Sequence, residues 1–196
     1  MEELLLHGTD AERAARLAHV RLLLEHASLL QIDHVTLPFV DASSIGSDGT
    51  DEAVTLLSQI LPWAEQHNVE LHLETDLAPA AFRSLLDAAA HPLLFANYDT
   101  GNSAALGFDP REEFAAYGDR IGSVHIKDRV RGGSTVPLGE GNADFEAVFS
   151  CLQDTGYAGT FILQVARGEP GNEVEWAKKN RLFVETLLSR YGFASH

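Results

Sequence analysis

Four short apolar segments of this chain each carry, at or near the C-terminal end, a side chain that can bind a divalent cation. The segments are VELHLE, PLLFANYD, IGSVHIKD and GTFILQ, and the side chains are Glu74, Asp99, His125 and Gln164. They are separated by 25, 26 and 39 residues, about the length of a strand, a helix and their loops. Because the C-terminal ends of parallel strands share one edge of a sheet, these side chains should converge. Two carboxylates, an imidazole and an amide predict a site for a metal bound through oxygen and nitrogen.

The elements that would position these side chains alternate along the chain. We predict helices and strands because apolar residues recur with helical spacing in the longer segments and form short β-rich runs between them. The predicted helices are 10–30, with Asp10 as N-cap, 51–67, capped by Thr50 or Asp51, 78–90, 111–118, 145–156 and 173–192. The predicted strands are 32–40, 69–74, 92–99, 121–128 and 159–166, with loops over 100–110 and 129–142. This alternation favours an α/β fold with a parallel sheet.

Composition narrows the class of protein. The chain has 196 residues, 45% of them hydrophobic, which is enough for one domain with a full core. Its net charge of −15 disfavours nucleic acid as a partner, because such a surface repels phosphates. Neither a membrane-spanning apolar run nor a secretory pattern is present in the sequence, and the single cysteine, Cys151, is expected to be a buried structural thiol. We therefore expect a cytoplasmic protein that does not bind membranes.

From Leu71 onward, the chain resembles a known family, and the resemblance covers most of its length. The ordered motifs LETDL, NYDTGNSAALGFDP, GDRIGSVHIKDR, PLGEGNADF and FILQVAR are similar to those of the xylose isomerase-like TIM barrel superfamily, in particular its sugar phosphate isomerase/epimerase branch. The resemblance implies a (β/α)8 barrel and one divalent metal held by Glu, Asp, His and Glu from the last four strands. Glu74, Asp99 and His125 match three of these positions, and Gln164 stands at the fourth.

The same resemblance predicts that the barrel is partial. Segment 32–40 corresponds to the fourth strand of the family, so the first three βα units have no counterpart, and a whole barrel takes roughly 250 residues. We therefore predict a single domain over 1–196 that is N-terminally truncated to about five βα units. Five strands leave two sheet edges and an open interior, which predicts a homo-oligomer.

The chemistry implied by the resemblance is the interconversion of sugars through an enediolate. A proton must leave the carbon next to a carbonyl, and a divalent metal stabilises the charge that develops on oxygen. Glu74 is the expected base as well as a ligand. Gln164 can offer the metal a neutral oxygen but cannot accept a proton, so single-base isomerisation is favoured over two-base epimerisation. The sequence leaves open whether the metal is Mn²⁺, Co²⁺, Mg²⁺ or Zn²⁺.

Four further residues are candidates for binding a sugar or sugar phosphate. Asn102 occupies a position where relatives often have a substrate-contacting histidine. Lys127 and Arg131 could bind a hydroxyl or a phosphate, and Arg167 is a second candidate for an anion site. Asp128 is expected instead to pair with a nearby Arg or Lys.

Two other functions remain open from the sequence. One is a catalytically silent homologue with a binding or assembly role, which Gln164 and the absent strands favour. The other is an apurinic-site endonuclease, which shares the barrel but needs additional histidines. Asn102 replaces one of these, no Asp-x-His motif follows His125, and the acidic charge is unsuited to DNA, so we regard this function as disfavoured.

Overall fold

The computed structural model describes residues 5–46 and 48–193, and the chain forms two compact units, Met1–Asn97 and Tyr98–His196. A five-stranded sheet contains, in spatial order, the strands His34–Phe39, Glu70–Thr75, Leu94–Asp99, Ile121–Ile126 and Thr160–Leu163, and a separate two-stranded sheet pairs Asp128–Arg129 with Thr135–Val136. The predicted parallel five-stranded sheet is therefore confirmed. The N-terminal truncation and the single-domain organisation stay predictions.

The first unit alternates helices with parallel strands. Its elements are α1 (Asp10–Leu29), β1 (His34–Phe39), a short 3-10 helix (Asp41–Ser43), α2 (Thr50–His67), β2 (Glu70–Thr75), α3 (Pro79–Ala89) and the start of β3 (Leu94–Asp99). Register is set by pairs such as Leu37 with Leu73 and Leu71 with Leu94. These leucines are almost fully buried, so the apolar side chains of the strands form part of the core of this unit.

Two predicted helix caps are wrong. Thr9, not Asp10, is the N-cap of α1, because its hydroxyl accepts the amide of Glu12 while the Glu12 carboxylate accepts the amide of Thr9. Helix α2 begins at Thr50 behind Gly49, which supplies no side-chain cap. The start of α3 at Pro79 is as predicted, since proline is favoured in the first turn.

The second unit carries more structure than the sequence predicted. Its elements are α4 (Thr100–Leu106), α5 (Pro110–Tyr117), a 3-10 helix (Gly118–Arg120), β4 (Ile121–Ile126), β5 (Asp128–Arg129), β6 (Thr135–Val136), α6 (Phe145–Asp154), β7 (Thr160–Leu163) and α7 (Glu173–Arg190). The loop predicted over 100–110 contains α4, and the loop predicted over 129–142 contains most of the β5–β6 ribbon. Tertiary contacts override the weak local propensity of these glycine-rich segments.

Apolar packing holds β4 and β7 in place within the second unit. The two strands are parallel, with Val124 opposite Phe161. Phe149 of α6 is fully buried and stacks on Phe161 at 5.5 Å between ring centroids.

Over the residues that the structure describes, no helix is long and apolar enough to cross a membrane.

Candidate metal centre

Glu74 lies near the end of β2 and is buried. Its Oε2 atom accepts a hydrogen bond of 3.0 Å from Nδ2 of Asn97 in β3. Parallel pairing explains this contact, because β2 and β3 advance in register from Leu71 and Leu94. The Asn97 amide fixes the orientation of the carboxylate by a charge-assisted hydrogen bond.

Asp99 is both the last residue of β3 and the N-cap of α4. Its Oδ1 atom accepts the amide of Asn102 at 2.8 Å. Its Oδ2 atom lies 3.6 Å from Nζ of Lys127 and 3.9 Å from Nδ1 of His125. The capping bond therefore orients the carboxylate so that its second oxygen faces a histidine and a lysine.

His125 lies in β4 opposite Ile162 of β7, and its side chain is only 12% exposed. The ligand atoms of Glu74, Asp99 and His125 all lie within 4.8 Å of one another. Two carboxylates and an imidazole suit Mg²⁺, Mn²⁺, Co²⁺ or Zn²⁺. This donor set fits one divalent cation, as the spacing of the strand ends predicted, and the three residues form a possible metal-binding triad.

Gln164 occupies a different setting from the three triad residues. It follows the last residue of β7, and its backbone amide donates to the backbone carbonyl of Ile126. Its side-chain Oε1 accepts a hydrogen bond of 2.9 Å from Nζ of Lys127, and the residue is exposed. The structure thus joins Gln164 to Asp99 through the lysine ammonium.

The backbone of Lys127 is held by two hydrogen bonds to Thr100 that were not predicted from the sequence. The Thr100 hydroxyl donates to the carbonyl of Lys127 at 2.6 Å and accepts its amide at 2.9 Å. Gly101 makes this approach possible, because a Cβ atom there would lie 2.7 Å from Cγ of Lys127. The signal in the sequence is DTG at the start of α4. Asp99 caps the helix, the Thr100 hydroxyl binds the backbone of Lys127, and Gly101 leaves space for the Lys127 side chain.

The remaining substrate candidates have distinct surroundings. Asn102 is buried, and its Oδ1 accepts a hydrogen bond of 2.7 Å from Nη1 of Arg129. The Arg131 backbone amide donates to Asn142, and its guanidinium packs so close to Gly107 that a Cβ there would be 2.5 Å away. Arg167 is exposed beyond the end of β7. The substrate-binding roles of Asn102, Lys127, Arg131 and Arg167 stay predictions.

Asp128 differs from its expected role as a partner of Arg or Lys. The carboxylate is 1% exposed and accepts the backbone amides of Gly139, Gly141 and Ala143 at 2.9, 2.9 and 3.0 Å. A Cβ at Gly141 would lie 2.2 Å from Oδ1 of Asp128. The PLGEGN motif is therefore a loop folded around a buried carboxylate.

Comparison with known proteins identifies the family. The xylose isomerase-like TIM barrel model matches residues 5–187, which is most of the chain. The chain belongs to the xylose isomerase-like TIM barrel family. Its five-stranded parallel sheet is accordingly a TIM-barrel-like α/β arrangement.

Relatives with assigned activities match part of the chain. L-ribulose-5-phosphate 3-epimerase UlaE of Salmonella paratyphi A is 33% identical over 95 residues, covering 48% of this chain and 34% of that protein. Inosose dehydratase of Clostridium perfringens is 29% identical over 121 residues, covering 52% and 40%. The chain thus aligns with about a third to two fifths of the length of these relatives.

A solved structure supports the fold. The IolI protein, whose crystal structure contains a bound zinc atom, superposes with a TM-score of 0.81 at 17% identity, covering 96% of this chain and 74% of that protein. At this identity the likeness shows the fold alone.

Proposed function

We propose that this protein is a metal-dependent isomerase or epimerase that acts on a sugar or sugar phosphate through an enediolate. The observation that carries the proposal is the convergence of Glu74, Asp99 and His125, with ligand atoms within 4.8 Å of one another. The epimerase relative supports the substrate class, since that protein is named for a sugar phosphate. A divalent cation bound by the three side chains would stabilise negative charge on the substrate oxygens.

Glu74 is the proposed base. Its carboxylate takes the proton from the carbon next to the substrate carbonyl, the electrons of that C–H bond form the C=C bond of the enediolate, and negative charge develops on the carbonyl oxygen. Isomerisation follows when Glu74 returns the proton to the former carbonyl carbon, while the hydroxyl on the adjacent carbon becomes the new carbonyl and its proton passes to the former carbonyl oxygen. The hydrogen bond from Asn97 keeps the carboxylate in one orientation during both transfers.

Lys127 and Gln164 are not proposed as bases. The ammonium of Lys127 contacts Oε1 of Gln164 and faces Asp99, so it adds fixed positive charge where an enediolate would need it. The Gln164 amide cannot accept a proton. We therefore propose that one carboxylate moves the proton and that isomerisation exceeds epimerisation. Asn102, Lys127, Arg131 and Arg167 are the proposed contacts for hydroxyl or phosphate groups.

A catalytically silent binding protein is the second candidate. One observation favours it: Gln164 is neutral and its carbonyl oxygen is engaged by Lys127 at 2.9 Å. Such a protein would keep the metal and bind a sugar without removing its proton.

The test is solvent-deuterium incorporation into a panel of ketoses and their phosphates. The protein is stripped with a chelator and reloaded with Mn²⁺, Co²⁺, Mg²⁺ or Zn²⁺ in turn. The variant is Glu74→Gln, and the matched control is Glu70→Gln, which makes the same change on the same strand at a half-exposed side chain.

We expect the wild type and Glu70→Gln to incorporate deuterium and Glu74→Gln to lose incorporation by at least about a hundredfold, the typical contribution of a general base. Undiminished exchange in Glu74→Gln would place the chemistry on other residues. Metal binding without exchange in the wild type would favour the silent candidate.

A further inference from the structure

Another buried acid, besides Asp128, lies in the unit that carries Asp99. Glu113 of α5 is 3% exposed, and three hydroxyl groups surround it. Tyr98 donates to its Oε2 at 2.9 Å, Ser103 donates to the same oxygen, and Tyr117 donates to Oε1 at 3.0 Å. These hydroxyls supply three donors to a carboxylate that has room for about four, so the cluster is well satisfied.

Two of these hydroxyls flank the bond that orients Asp99. Tyr98 immediately precedes Asp99 in β3, and Ser103 immediately follows Asn102 in α4. Asp99 and Asn102 are joined by the capping hydrogen bond of 2.8 Å. Glu113 therefore binds, with one oxygen, the strand side and the helix side of the same turn.

We infer that Glu113 is a positioning residue that fixes Asp99 by tying Tyr98 and Ser103 together behind the turn. The metal-binding consequence of this inference rests on the proposed function, whereas its effect on the turn does not. Partners of a ligating carboxylate hold its orientation, and their loss typically lowers metal affinity by about 10- to 100-fold.

The cost of burying the acid supports a role beyond filling space. Burial raises the pKa of Glu113, against the lowering effect of its three hydroxyl partners. An apolar side chain at this position would avoid that penalty but would leave Tyr98 and Ser103 without a common acceptor. The cluster thus gives up stability while locking the strand to the helix.

The three hydroxyls provide matched variants. Tyr98→Phe and Ser103→Ala each cut one side of the tie. Tyr117→Phe is the control, because it removes a donor from Oε1 of the same carboxylate, whereas Tyr98 and Ser103 donate to Oε2. Glu113→Gln can keep an oxygen towards Tyr98 and Ser103 and turn its amide towards the Tyr117 hydroxyl, so it should rescue what Glu113→Ala loses.

Two measurements read the effect. Amide hydrogen exchange followed by NMR reports the Asn102 amide, which donates to Asp99. Titration calorimetry with Mn²⁺ reports metal affinity in the full chain. We expect Tyr98→Phe and Ser103→Ala to speed exchange of the Asn102 amide and to lower Mn²⁺ affinity by about tenfold. Tyr117→Phe and Glu113→Gln should stay within about twofold of the wild type in both measurements.

The outcomes separate this inference from the proposed function. If the wild type binds no Mn²⁺ but Asn102 exchange follows the expected order, the proposed metal site is wrong and the positioning of the turn stands. If the wild type binds Mn²⁺ and Tyr98→Phe and Ser103→Ala behave like Tyr117→Phe, Glu113 has no positioning role. Should Glu113→Ala fail to fold, the single-hydroxyl variants still decide the question.

Discussion

The buried Asp128 carboxylate provides a stability prediction that can be worked from its contacts. Asp128→Asn leaves one oxygen, which can still accept the amides of Gly139 and Gly141. The new NH2 group would face the backbone amide of Ala143. Because both groups are donors, the hydrogen bond from Ala143 is lost. The substitution also removes the charge from the two bonds that remain.

Hydrogen bonds to charged groups contribute about 1.5–3 kcal/mol and neutral ones about 0.5–1.5 kcal/mol. Asp128→Asn loses one hydrogen bond and weakens two, and part of this loss is offset because a charge is no longer buried. We therefore expect the free energy of unfolding to decrease by about 2–4 kcal/mol. For a chain of this size each kcal/mol shifts the melting temperature by about 2–4 °C. Asp128→Asn should therefore melt about 4–16 °C below the wild type.

Urea unfolding followed by circular dichroism measures this difference, with Asp144→Asn as the control. Asp144 caps α6 by accepting the amide of Ala147 at 3.0 Å, and asparagine caps helices about as well as aspartate, so the control should change stability by less than about 0.5 kcal/mol. Equal losses in the two variants would refute the view that Asp128 organises the loop.

Three further predictions follow from individual side chains. Gln164→Glu places a carboxylate beside Lys127 and should raise Mn²⁺ affinity, measured by calorimetry, by at least about tenfold if it becomes a ligand; unchanged affinity would place residue 164 outside the site. Burial raises the pKa of Glu113 above its ordinary 4.5, so its protonated form stabilises the fold below that pH. The stability of the wild type relative to Glu113→Gln should fall as pH rises through the raised pKa, and urea unfolding at several pH values would contradict this if the difference were constant. Burial also raises the pKa of the Cys151 thiol, which should react with iodoacetamide more slowly than free cysteine at neutral pH; an equal rate would contradict this.

The places of the three candidate metal ligands in the fold were predictable from the strand pattern, and their role as ligands stays a prediction. Glu74 and Asp99 end apolar runs, and parallel strands place such ends on one edge. His125 could be assigned only together with the acids, since a lone histidine within an apolar run is more often a core residue than a ligand. In the structure the ligand atoms of the three side chains lie within 4.8 Å of one another.

The supporting contacts were not predictable, since they depend on long-range pairing. The segment after Asp99 was interpreted as a loop from its Thr, Gly, Asn and Ser, yet it forms α4, whose Thr100 is paired with the distant Lys127. Glu113 lies in the predicted helix REEFAAYG, where a glutamate is expected to be exposed, yet it is buried and bound by Tyr98 and Ser103, which precede this helix. Asp128 was paired with arginine or lysine in prediction, because backbone amides brought in by a glycine loop leave little trace in sequence.

The central claim is that Glu74, Asp99 and His125 bind one divalent cation, and metal binding by the wild type and His125→Ala tests it most directly. His67→Ala, which removes a histidine from the last turn of α2, serves as the control. Chelator-stripped proteins are titrated with Mn²⁺ in a calorimeter and their metal content is then measured after dialysis. We expect one cation per chain in the wild type and His67→Ala and an affinity at least about a hundredfold weaker in His125→Ala, which corresponds to about 2.7 kcal/mol. Equal metal content and affinity in the wild type and His125→Ala would contradict the account.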